Sequence, residues 1–176
     1  SVKLLGVKRV GWHSFYNCYR LASIEMPKVE TISGYAFYKC YNRLKKIETP
    51  QLKVLGESAF DACSSLETVK MPQVQLIGDY AFSECSKLKT IEIPQVKSIS
   101  SYVFYACNSL ENLEIPQVKT IGKGAFNNCQ RLKTIDISNV EKIGEKAFEA
   151  CANLKKIVIP DTATEIGKKH LFITRA

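Results

Sequence analysis

The sequence predicts an α/β solenoid, and three observations predict it. The seven cysteines fall at Cys18, Cys40, Cys63, Cys85, Cys107, Cys129 and Cys151, with gaps of 22, 23, 22, 22, 22 and 22 residues. Between them one phrase recurs, clearest as Leu110, Leu113, Ile115, Pro116, Val118, Ile121, Gly122, Ala125, Phe126 and Cys129, separated by mostly polar residues. The single gap of 23 has a visible cause: three residues separate Cys40 from Leu44, where every other cysteine has two before its leucine. A period of roughly 20 to 29 residues with apolar positions spaced L-x-x-I-x-I marks a leucine-rich solenoid, with a parallel sheet on one face and short helices on the other.

The copies begin at Val2, Leu21, Leu44, Leu66, Leu88, Leu110, Leu132 and Leu154, about eight rungs of 22–23 residues with the first truncated and the last altered. Together they make a single solenoid over residues 1–176. Each opens with a segment such as Leu88 to Ile93, whose apolar and polar residues alternate as in a half-buried strand. Proline then stops the strand, at Pro27, Pro50, Pro72, Pro94, Pro116 and Pro160, because it has no N–H for the ladder. Ser138 stands in its place in the seventh copy. A second apolar pair follows, as at Val96 and Ile99, and then glycine at Gly56, Gly78, Gly122, Gly144 and Gly167. Glycine permits a positive φ, but Ser33 and Ser100 hold the same place, which argues against a strictly glycine-only conformation. The phrase closes with Ala-Phe-x-x-Cys. Ala125, Phe126, Cys129 and Leu132 lie at i, i+1, i+4 and i+7, the spacing of a short helical turn over the interior. Each phenylalanine is expected to stack on those of adjacent rungs.

The whole phrase, L-x-x-I-x-I-P-x-V-x-x-I-G-x-x-A-F-x-x-C, resembles the BspA-like leucine-rich repeats of bacterial surface proteins and parasitic protists, over nearly the full chain. One residue separates Pro94 from Val96, where the commoner form of that repeat has two, and only the last copy, Pro160 to Gly167, reads like the longer form. The resemblance implies a protein-binding solenoid, often a surface adhesin.

Bulk properties narrow the function. The net charge of +8 invites a nucleic-acid reading, but it is distributed as +6, −3 and +5 over residues 1–48, 49–118 and 119–176, without a long run of one sign. Nucleic-acid binding is not expected. No apolar run reaches the roughly 18 to 20 residues of a membrane span, and no targeting signal is read, so membrane insertion is not expected either. The odd-numbered cysteine column reads as buried inert thiols, since neighbours with side chains pointing the same way are poorly placed for disulfides. Metal sites and cofactors are not expected: the two histidines, His13 and His170, sit at opposite ends. Neither has a local catalytic arrangement and no phosphate-cradling loop occurs, so the protein is not expected to be an enzyme.

Two surfaces are candidates for binding. The outward strand positions read Glu25, Glu48, Lys70, Glu92, Glu114, Asp136 and Val158, an acidic stripe beside Lys45, Glu67, Lys89, Glu111, Lys133 and Lys155. Such a face can be a mutually screened polar surface or a concave protein-binding one. The partner-binding set on the second reading is Glu25, Glu48, Glu92, Glu114 and Asp136 with Lys45, Lys89 and Lys133. The other surface is aromatic: Tyr16 with Tyr38 and Tyr19 with Tyr41 occupy matching places in adjacent rungs near Trp12, on the expected helical side. With the first rung starting inside a strand at Val2-Lys3-Leu4, this end is expected to form a homodimer, unless further repeats precede it. The expected function is a non-catalytic protein-interaction module, with a cell-surface adhesin fragment as the alternative. Location follows neither reading alone: free cysteines and the absence of Asn-x-Ser/Thr sites favour the cytoplasm, the family resemblance the cell surface.

Overall fold

A computed structural model of the chain describes residues 1–155 and 157–167. It is a parallel β-solenoid of about seven turns. Each turn passes through two short strands and one stretch of tight turns. The first column of strands comprises Val2–Lys3, Ile24–Glu25, Lys46–Glu48, Thr68–Lys70, Thr90–Glu92, Asn112–Leu113 and Thr134–Ile135. The second comprises Arg9–Val10, Thr31–Ile32, Val54–Leu55, Leu76–Ile77, Ser98–Ile99, Thr120–Ile121, Lys142–Ile143 and Glu165–Ile166. Both are parallel, with a partner one rung away, as in Val69 opposite Ile91 and Ile121 opposite Ile143. The extra residue after Cys40 lies where the first column is unpaired, between Glu25 and Lys46; the second column is paired straight across that rung, with Thr31 opposite Val54.

Proline makes the corner between the columns. The Val96 N–H donates to the Ile93 carbonyl and the Val118 N–H to that of Ile115, closing four-residue turns with proline second, the place its fixed φ suits. Where Ser138 replaces proline an extra N–H appears, and it is taken up by an Asp136 Oδ1 at 2.9 Å. The corner therefore survives the substitution.

The second strand column was not read from the sequence, and the expected helices are absent: among the described residues no helix occurs. The Ala-Phe-x-x-Cys segments are successive tight turns whose backbone N–H groups are shared between two directions. In the fifth rung Tyr102, Phe104 and Ala106 donate to the carbonyls of Lys123, Ala125 and Asn127 in the next rung at 2.8, 2.8 and 2.9 Å. Tyr105 and Cys107 instead donate within the rung, to Tyr102 and Phe104. A helix would send every N–H to its own fourth-preceding carbonyl, and a seven-residue segment would leave most of its groups orphaned. The shared arrangement satisfies them by stacking.

Aiming alternate N–H groups along the axis takes left-handed backbone at two places per rung. They are held by residues other than glycine in nearly every case, including Tyr35 and Lys39, Ser58 and Ala62, Tyr80 and Glu84, and Tyr102 and Ala106. The glycine before these turns has another task. A Cβ on Gly56 would sit 2.4 Å from the Gly34 nitrogen, and one on Gly144 2.5 Å from the Gly122 carbonyl carbon. Glycine is there to let successive backbones approach. Only Gly124, inside the turns, has a positive φ.

The interior follows the sequence reading. Leu44, Leu66, Leu88, Leu110 and Leu132 are fully buried, as are Phe37, Phe60, Phe82, Phe104 and Phe126. The phenylalanines form one continuous stack from Phe15 to Phe148, with centroids 4.9 to 5.9 Å apart and ring planes within 15° of parallel. Truncating a central one, such as Phe82→Ala, is expected to cost about 3 to 5 kcal/mol.

The backbone finding gives a test of opposite sign to a helical reading. Ala62 and Ala106 have φ of 56°. In a helix, Ala→Gly destabilises by roughly 1 kcal/mol. At these positions it relieves a left-handed strain of about 1–2 kcal/mol, offset by a chain-entropy cost of roughly 0.4–1 kcal/mol. The Ala62→Gly, Ala106→Gly double variant is expected to be as stable as the parent or up to ~2 kcal/mol more stable in urea denaturation; a loss of that size would refute the assignment.

Candidate interaction surfaces

The first strand column presents Lys3, Glu25, Glu48, Lys70, Glu92, Glu114 and Asp136 outward, one per rung. Its N-terminal half is neutralised from within. Lys3 pairs with Glu25 at 3.3 Å, and Glu48 lies 2.9 Å from Lys46 and 3.9 Å from Lys70. Further along, the neutralisation stops. Glu92 and Glu114 are exposed and neither has an ion-pair partner among the described residues. The Asp136 carboxylate accepts only from Ser138, whose backbone N–H first of all holds it below the usual carboxylate range. A shallow open depression between these rungs is lined by Asn112, Glu114, Pro116, Thr134 and Asp136.

From Lys45 to Lys133 the neighbouring column alternates in sign and its charges are paired, while Lys155 beyond it has no ion-pair partner among the described residues. Lys45 and Lys89 flank Glu67 at 3.5 and 3.1 Å, and Lys133 reaches Glu111 at 2.6 Å. Hydrogen bonds from Lys89 and Lys133, with their charge, hold the Glu67 and Glu111 carboxyls below the usual range. The proposed set Glu25, Glu48, Glu92, Glu114, Asp136, Lys45, Lys89 and Lys133 therefore lies on one face but divides in two. Five of its members are engaged in ion pairs, and only Glu92, Glu114 and Asp136 are not. Exposed pairs of this kind contribute about 0–1 kcal/mol each and serve mainly to balance charge along the stack.

The aromatic residues lie on the tight-turn side, which corrects the helical placement expected for them. Tyr16 stacks on Tyr38 at 5.1 Å and Tyr19 on Tyr41 at 6.4 Å. Trp12 leans across to the next rung, against Tyr35 at 6.2 Å and over Gly34, where a Cβ would meet its ring at 2.5 Å. It remains 61% exposed, with Tyr16 and Tyr19 at 46% and 43%. His13 stacks on Tyr35 at 5.4 Å; His170 lies outside the described residues. No group of three His, Cys, Asp or Glu side chains suited to a metal occurs among the described residues.

All seven thiols are free. The thiols from Cys40 to Cys151 each donate to the carbonyl of the phenylalanine one rung back, at 3.0 to 3.2 Å. Burial raises the pKa of Cys63, Cys85, Cys107 and Cys129 well above that of a free thiol, and pushes Cys151 up to about 11. Cys40 differs, its thiol held below the usual range first of all by the hydrogen bond with Cys63, and burial raises Cys18. But Cys40 is fully buried, so access decides, and a thiol reagent at neutral pH is expected to modify half-buried Cys18 first and the other six only as the fold opens. Mass under non-reducing conditions should equal that of the fully reduced chain. A deficit of about two daltons would reveal a disulfide and contradict the thiol column.

Among known proteins, a family model described as a BspA type leucine rich repeat region, in six copies, matches residues 2–75 and 71–174. A leucine rich cell surface protein of Faecalibacterium prausnitzii is similar in structure, with 34% identity over 79% of this chain and a TM-score of 0.74. A leucine-rich repeat protein of Eubacterium ventriosum matches 80% of the chain at 26% identity and a TM-score of 0.69. One of T. pallidum matches 84% at 30% and 0.55. The match spans 39%, 39% and 61% of those three chains. No functionally curated protein matches the sequence.

Proposed function

Because the chain belongs to the BspA-type leucine-rich repeat family, we propose that it is a non-catalytic scaffold that binds a protein partner on its first strand face. The family is generally a non-enzymatic scaffold. The observation that carries the finer reading is the run of unneutralised acid at Glu92, Glu114 and Asp136, on a face where the outward charges from Lys3 to Lys70 and from Lys45 to Lys133 are balanced by neighbours. Like charges stacked one rung apart repel, so the run costs stability and a basic partner segment would relieve it.

A second reading is favoured by one observation. The similar Faecalibacterium prausnitzii protein is described as a cell surface protein. On this reading the chain is part of a cell-surface adhesin, and the same acidic run would meet a host or matrix protein. Antibody labelling of intact cells of the source organism separates the two, because a scaffold inside the cell would stay unlabelled until the cells are permeabilised. Neither nucleic acid nor membrane insertion is part of either reading.

Reversing the acidic run tests the binding face. The Glu92→Lys, Glu114→Lys, Asp136→Lys variant should keep its fold, because the three side chains are exposed, and should lose about 2 kcal/mol or more of partner affinity if they are central to the contact. The measurement is quantitative mass spectrometry of proteins cross-linked to parent and variant in the source cells, followed by titration of whichever protein distinguishes them. A partner bound equally by both reduces the acidic run to solvated surface.

A further inference from the structure

Two blocks of opposite charge lie side by side on the tight-turn face. The first two rungs present Arg20, Lys39 and Arg43 with the exposed aromatics Trp12, Tyr16, Tyr19 and Tyr41, and no acid. The next two present Glu57, Asp61, Asp79 and Glu84, with Lys87 as their one base. Within the acidic block Glu57 and Asp79 occupy the place in the turn that Trp12 has in the first rung, so they lie at one side of the face. Arg20 and Arg43 follow the cysteine and lie at the other. Glu84 is exposed, and Asp79 spends one oxygen on the Ser101 N–H.

We propose that this face is a homodimer interface, with a second copy of the chain related by a two-fold axis perpendicular to it between the second and third rungs. That rotation exchanges rungs one and four, and two and three, and it also exchanges the two sides of the face. Arg20 then meets the second copy's Asp79, Arg43 its Glu57, and Lys39 its Asp61. Lys87 comes against the ring of the second copy's Trp12, a cation over an indole face, which is the stronger aromatic partner for a cation. Every contact occurs twice, as a two-fold interface requires. The same operation buries the aromatics, whose exposure is otherwise unaccounted for. The arrangement uses only the charges and aromatics of four consecutive rungs, so it holds whether or not further repeats flank them. It leaves the first strand face free for the partner proposed above.

Four rungs at ~4.8 Å span only about 19 Å along the axis, which makes this a small interface and a weak, salt-sensitive dimer. The test is a charge exchange followed by sedimentation velocity from about 1 to 500 μM in low salt, the range in which such an interface fills. Parent protein should pass from monomer to dimer with concentration. The Arg20→Glu, Arg43→Glu variant faces acid with acid and should remain monomeric; the Glu57→Lys, Asp79→Lys variant faces base with base and should do the same. An equimolar mixture of the two restores all the pairs and should dimerise again. Trp12, the only tryptophan, gives a second readout, since its emission should shift to shorter wavelength on association. Thermal melts establish that each variant is folded, the acidic-block variant having lost two surface hydrogen bonds, from the Tyr35 hydroxyl to Glu57 and from the Ser101 N–H to Asp79. The proposal is overturned if the parent stays monomeric throughout, if either variant dimerises as the parent does, or if the mixture fails to associate.

Discussion

The structure depends on where the backbone N–H groups of the tight-turn side go. A parallel strand column exchanges hydrogen bonds with both neighbours as a matter of course, but a return segment of seven residues has no such ladder unless its peptide planes are turned to make one. Placing left-handed residues four apart turns them. Alternate N–H groups then reach the next rung, and those between close the local turns. Once this is fixed, much of the repeat follows. The rungs are close enough for these bonds that a Cβ at Gly56, Gly78, Gly122 or Gly144 would meet the neighbouring backbone, although Ser33 and Ser100 are accommodated in the same place in their own rungs. At the same close spacing the phenylalanine rings lie face upon face.

The cysteine column is part of the same solution. The Phe104 carbonyl accepts the Cys107 N–H at 3.2 Å within its rung and the Cys129 thiol at 3.0 Å from the next. Both lone pairs are used, so no buried acceptor is left half satisfied. A thiol suits the position because it is small, weakly polar and tolerant of burial, whereas a hydroxyl would pay more for leaving water. The column is thereby committed to donating hydrogen bonds. That commitment of the six thiols from Cys40 to Cys151, with burial disfavouring the thiolate from Cys63 onward, accounts for a line of cysteines without a disulfide.

The strands of the first column, the proline corners, the buried leucines and the phenylalanine stack were legible because each rests on a short-range rule: period-two alternation, a missing N–H, or apolar residues at fixed places. The tight turns were not. Ala125, Phe126, Cys129 and Leu132 have a spacing that suits one helical turn, but the same spacing suits a chain that sends the same side chains inward from successive turns. What decides between them is the fate of the backbone groups, and side-chain pattern says nothing of that. The left-handed positions also carried little signal, since Tyr102 and Ala106 are not residues that announce a positive φ; of the residues there, Gly124, His13, Asn17 and Asn128 are of types that favour it. The second strand column was missed because each of its strands offers a single inward apolar position, as at Ile99 and Ile121, whereas the first column's strands sit within a longer L-x-x-I-x-I alternation. Of the candidate surfaces, the positions were legible and the pairing was not. The sequence placed Glu48 and Glu92 on one stripe, but it took the lysine geometry to show that Glu48 is neutralised and Glu92 is not.

A repeat of this kind satisfies its backbone and core identically in every rung, so those positions cannot distinguish one part of the surface from another. Outward side chains can. Alternating sign from rung to rung is the arrangement of lowest repulsion, and the stack follows it at Lys45, Glu67 and Lys89 and again at Glu111 and Lys133. Departures from alternation are then informative, because each costs electrostatic energy in the isolated chain. Short departures occur among the described residues at Glu25 and Glu48 and at Lys133 and Lys155; the longest on the strand face is the run of Glu92, Glu114 and Asp136, and the turn face adds its two opposed blocks. The run and the blocks would both be relieved by opposite charge brought up from outside. The run has no complement among the strand-face residues around it, which is what supports a different protein as its proposed partner. The blocks carry their own complement two rungs along, with the sides reversed, which a copy of the same chain would supply in the proposed dimer.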